Sequence, residues 1–69
     1  MVGAGRPSKV AERREQIVWA LYELLTESNF DDVTVKTIAQ RAEVAPGLVH
    51  HYFDNKDSIY GELATAMLE

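Results

Sequence analysis

Sixty-nine residues without a cysteine make one small domain and exclude both a disulfide framework and a thiolate zinc site. The net charge of −4, from 7 basic and 11 acidic residues, counts mildly against a nucleic-acid partner, but it hides an asymmetry. Residues 1–14 set Arg6, Lys9, Arg13 and Arg14 against Glu12, a net +3, which leaves −7 for the remainder; such a chain would meet phosphate with its N-terminal end, Lys36, Arg41 and Lys56.

Met1 to Pro7 (MVGAGRP) has two glycines, a proline and no periodicity, so residues 1–8 are expected to form a flexible basic arm. Gly-Arg-Pro resembles the core of peptides whose arginine lies along an A·T-rich minor groove. Arg6 is therefore a minor-groove candidate; the plain alternative is an ordinary terminus that happens to hold an arginine.

Helix 1 is predicted from Lys9 or Val10 to Glu27, capped by Ser8. Ile17, Leu21, Leu24 and Leu25, edged by Val18 and Ala20, form its apolar stripe. Trp19 and Tyr22 lie off that stripe, as cover for the flank of a small core or as contacts to a partner. Asn29 stands where a left-handed residue would end the helix, and Phe30 and Val33 bring the chain back to the core.

The stretch Thr34–Phe53 (TVKTIAQRAEVAPGLVHHYF) is the most informative. Val35, Ile38, Ala39 and Ala42 recur at i, i+3, i+4 and i+7, which puts them on one face of a second helix. Thr34 precedes that run as a cap, and Pro46 suits the first position of a third helix, where its missing N–H would go unpaired anyway. Val49 and Phe53 share the inner face of the third helix, while Gly47, Leu48 and His51 project outward. A short helix with a small, uncharged outer face, braced by another helix, fits a DNA major groove. That is a helix-turn-helix. Asp54-Asn55-Lys56-Asp57 then breaks the third helix and, with Asn55 as cap, starts a fourth whose apolar face is Ile59, Leu63, Ala66 and Met67.

T-V-x-x-I-A-x-x-A-x-V-x-x-G-x-V-x-x-Y-F, followed by Lys56 and Ile59, resembles the DNA-binding domain of the TetR family of transcriptional regulators, from about Arg14 to Ile59. Three positions depart from the family pattern. Glu43 stands where the turn usually has Gly, Ala45 where a Ser or Thr usually caps the third helix, and His50 where a Tyr is usual. The resemblance implies an all-α, homeodomain-like fold. Its three-helix helix-turn-helix domain would span residues 9–55, and residues 56–69 would start a fourth helix leading into a ligand-binding domain that is absent here.

By matching positions, the resemblance implies that Lys36, Pro46, Gly47, Leu48 and His51 meet base edges. Lys36 would hydrogen-bond guanine and Leu48 offer apolar contact to a thymine methyl. Thr34, His50, Tyr52 and Lys56 would position the phosphate backbone. It further implies a repressor whose partner is double-stranded DNA at a palindromic operator. The full-length protein would be a homodimer released by a small-molecule inducer of the absent C-terminal domain.

No cofactor, metal or catalytic group is expected. His50 and His51 are adjacent and point about 100° apart on a helix, so they do not chelate one ion. No long apolar run exists, so neither a signal peptide nor a membrane span is expected, and the protein is read as cytoplasmic. The competing reading is a helix-turn-helix module for protein–protein interaction, with Trp19, Tyr22 and Tyr60 as its contact surface.

Overall fold

The computed structural model describes residues 9–68, all-helical with no strand among them. The four helices are α1 (Lys9–Leu25), α2 (Val35–Ala42), α3 (Pro46–Tyr52) and α4 (Lys56–Leu68), with one 3-10 turn at Phe30–Asp32. The proposed cap Ser8 and the arm residue Arg6 lie outside the described residues.

Helix α1 packs against α2 and α4, and α2 packs against α3. The core is one cluster to which every helix contributes: Ile17, Val18, Ala20 and Leu21 from α1, Ile38 and Ala39 from α2, Val49 from α3, Ile59 and Leu63 from α4, with Val33 and Phe53 from the connections. Each fully buried Val, Ile or Leu side chain among them is worth roughly 1.5–3 kcal/mol relative to exposure. Helix α4 thus helps hold the domain together through Ile59 and Leu63 of its expected apolar face. Its buried face is narrower than the sequence pattern implied, because Ala66 and Met67 are exposed. Leu24 and Leu25 are likewise half-buried at the rim rather than inside the core.

Helix α1 ends two residues before the predicted Glu27. Its last turn tightens as the Thr26 and Glu27 amides donate to the carbonyls of Glu23 and Leu24 at 3.1 and 3.0 Å. Asn29 does not take the left-handed conformation expected of it; it is extended, at φ −78 and ψ 153, and opens the 3-10 turn. The chain needs no left-handed residue there, because the tightened last turn already satisfies the carbonyls of Glu23 and Leu24. That turn delivers Val33 into the core, 2% exposed.

Candidate nucleic-acid interface

The start of α2 is built by two threonines. The Thr37 amide donates to Thr34 Oγ1 at 3.1 Å and the Thr34 amide to Thr37 Oγ1 at 3.0 Å, a reciprocal capping box that satisfies two otherwise orphaned donors. The Thr37 hydroxyl also donates to the Thr34 carbonyl at 2.8 Å. Thr34 remains exposed, and Lys36 follows it on the exposed side of the first turn.

Between α2 and α3 the chain reverses at Glu43, which sits at φ 61 and ψ 41 and is the one positive-φ non-glycine residue among those described. The Glu43 amide donates to Gln40 O at 3.2 Å and the Val44 amide to Ala39 O at 3.0 Å, closing the helix in the manner of a Schellman turn. The left-handed geometry accounts for the glycine that family members usually place here. Ala45 is extended and caps α3 through its backbone alone: the Leu48 amide donates to Ala45 O at 2.9 Å, with no side-chain cap bond.

Helix α3 begins at Pro46 and is anchored by Val49, fully buried, and Phe53, 4% exposed. These two fix the rotation of α3 about its own axis. Pro46, Gly47, His50 and His51 are then exposed, and Leu48 and Tyr52 half-exposed. A Cβ added at Gly47 would meet nothing within 4 Å, so the space there is open. His51 and Tyr52 meet edge to face at 5.0 Å between ring centroids.

Two expected phosphate-facing cations have other partners. Arg41 Nη2 donates to Glu27 Oε1 at 2.9 Å and its Nη1 to Glu23 Oε1 at 3.4 Å, which ties α2 to the end of α1. The hydrogen bond from Arg41, more than its charge, holds the Glu27 carboxyl below the usual carboxylate range. The bond to Glu27 correspondingly lifts Arg41 above its ordinary value. Lys56 points into the fold: its Nζ donates to the carbonyls of Phe30 and Val33 at 2.8 and 2.9 Å and lies 4.4 Å from the centre of the Phe30 ring. A phosphate contact from Lys56 would have to use its third N–H or give up one of these bonds. Neither engagement has a local sequence signal, since the partners stand 14 to 26 residues away.

Outside this surface, Trp19 and Tyr22 meet edge to face at 5.3 Å, and Tyr60 rests against Phe30 at the same centroid distance. Trp19 is nonetheless 54% exposed and Tyr60 49%. Among the described residues no cluster of His, Cys, Asp or Glu could hold a metal ion. No helix among them is long and apolar enough to cross a membrane.

The family described as bacterial regulatory proteins, tetR family, matches residues 17–63. The HTH-type transcriptional regulator BetI of Stenotrophomonas maltophilia (strain R551-3) is 42% identical over 55 residues, which cover 77% of this chain and 28% of the relative. HbdR of Aromatoleum sp. (strain CIB), also an HTH-type transcriptional regulator, is 42% identical over 53 residues, 77% of this chain and 23% of its own. BetI of Escherichia coli (strain K12 / DH10B) is 38% identical over 47 residues, 68% of this chain and 24% of its own. The chain thus spans about a quarter of the length of these relatives. No solved structure matches it.

Proposed function

The chain belongs to the TetR family of bacterial regulatory proteins, as the DNA-binding domain of a transcriptional regulator rather than an enzyme, and we propose that it reads an operator's major groove with α3 as part of a repressor. The observation that carries this is the outer face of α3, uncharged and open from Pro46 to His51 while Val49 and Phe53 lock the inner face. Pro46, Gly47, Leu48 and His51 meet base edges, and Lys36 adds a hydrogen bond from the start of α2. Thr34, His50 and Tyr52 hold phosphate as hydrogen-bonding groups, Lys56 through its remaining N–H, and Arg6 follows the minor groove. Family membership supports use as a homodimer on a palindrome, with a small-molecule inducer taken by a further domain and a cytoplasmic site of action.

Selection of duplexes from a random pool tests this reading. A palindrome with half-sites about one DNA turn apart, ~34–36 Å, is expected. Binding by the single chain should be weak and fall with salt, and fusion to a dimerising helix should recover it. The exposed Trp19 and Tyr60 favour the second reading, a protein-contact module. Salt-insensitive capture of a protein with no enriched duplex would replace the first reading with the second.

A further inference from the structure

Arg14 has partners farther along the chain than those of Arg41 or Lys56. From α1 its Nη1 donates to the carbonyl of Tyr52 at 3.3 Å, and its guanidinium carbon lies 4.7 Å from the centre of the Phe53 ring. Its Nη2 is ion-paired with Glu62 on α4. Tyr52 is the last residue of α3 and Phe53 the one that follows. One side chain therefore connects α1, α4 and the C-terminal end of α3.

That end needs a cation. The last carbonyls of a helix have no intrahelical partner, and the helix dipole makes them partly negative. Helix α3 has only 7 residues, too few to hold its shape unaided, so its direction rests on what grips its ends as well as on the burial of Val49 and Phe53. At its start the cap lacks a side-chain bond, which leaves the far end with the larger share.

We propose that Arg14 is a positioning residue for α3, holding the helix's C-terminal end at a fixed angle while Glu62 on α4 holds Arg14 in place. DNA affinity then depends on an ion pair that touches no DNA. This rests on the reading that α3 enters the groove.

The test uses the full chain as the natural sequence and as Arg14→Gln, Arg14→Lys and Glu62→Gln, with two readouts. The first is amide exchange without DNA. Arg14→Gln and Glu62→Gln should speed exchange at Tyr52 and Phe53 relative to the amides of α2, with Arg14→Lys between. The second is affinity for the duplex recovered by selection and for a scrambled duplex, across salt. Glu62→Gln removes an acidic group, so electrostatics alone would tighten binding to both duplexes. Positioning gives the opposite sign: about a fivefold loss on the selected duplex, the scale of one modest hydrogen bond, with the salt slope unchanged. Arg14→Gln should behave likewise. A uniform rise in exchange would make Arg14 a general stabiliser and overturn the proposal. So would tighter binding by Glu62→Gln, or a salt slope reduced by about 0.9 in Arg14→Gln, the mark of a lost phosphate contact. A natural chain that enriches no duplex defeats the groove reading itself, and the exchange pattern then decides alone whether Arg14 anchors α3.

Discussion

Replacing Glu43 with glycine should stabilise the domain. Glu43 sits at φ 61 and ψ 41, a left-handed conformation that costs a side-chain-bearing residue about 1–2 kcal/mol. Glycine escapes that cost but brings about 0.5–1 kcal/mol of extra unfolded-state freedom. The difference is a gain centred on about 0.75 kcal/mol within a span of about 0–1.5, and the centre corresponds to about 3–6 °C in melting temperature for a domain of this size. No turn hydrogen bond is lost in the exchange, because both come from the backbone amides of residues 43 and 44. The carboxylate complicates the comparison, since Glu43 lines a surface cleft with Glu12 and Arg13. Glu43→Ala removes the charge and keeps the Cβ strain, so it should not gain stability, while Glu43→Asn should fall between Ala and Gly. Thermal unfolding followed by far-UV circular dichroism reads all three. A Glu43→Gly melting temperature at or below that of the natural chain would refute the strain argument, and equal gains from Ala and Gly would move the cause to charge.

Ala45→Ser should add about 1 kcal/mol, because the backbone at residue 45 is already extended as a cap requires and lacks only the side-chain acceptor; urea titration checks it. Lys56→Met should destabilise by about 1–2 kcal/mol, since two carbonyls lose a charged donor. It should also reduce the salt slope of DNA binding by about 0.9, because the remaining N–H holds phosphate, whereas an unchanged slope would show that Lys56 serves the fold alone. Glu27, its carboxyl held low by Arg41, contributes stability above the ordinary glutamate value of about 4.3 and loses it as pH falls through its lower folded value. Melting curves of the natural chain and Arg41→Gln should therefore differ at neutral pH and converge in acid.

The two central helices were legible because their signals are local. The run Val35, Ile38, Ala39, Ala42 has the helical period, Thr34 and Pro46 mark starts, and each behaves as the spacing implies. The outward face of α3 followed from the same period once Val49 and Phe53 were assigned inward. The end of α1 was less legible because Asn29 is compatible with both a left-handed stop and an extended residue, and the tight turn ahead of it removed the need for the first. The fates of Arg14, Arg41 and Lys56 could not be read at all. A lysine or arginine on a helix gives the same local pattern whether it meets phosphate, a carboxylate 14 residues away or a carbonyl 26 away. Sequence spacing says which face a cation leaves from; only the packing of α1 and α4 says what it reaches.

Those fates bear on how an acidic domain holds DNA. Arg14 and Arg41 are ion-paired, and Lys56 is bonded to carbonyls. Beyond Lys9, this leaves Arg13 and Lys36 as exposed cations without such partners among the described residues. With Lys36 assigned to a base edge, Arg13 and the remaining N–H of Lys56 would supply two phosphate contacts, a salt slope of about −2, small beside that of strongly electrostatic DNA binders. The general attraction that usually concentrates a binder on DNA is therefore weak per copy, and the −7 carried beyond residue 14 opposes it further. On the proposed groove reading, what remains is neutral hydrogen bonding and the shape of α3, which act only when the helix sits at the right angle. Cations committed to holding helices in place serve that requirement better than cations left free, and two copies joined on one duplex as the proposed homodimer would supply through effective concentration the affinity that a single copy lacks.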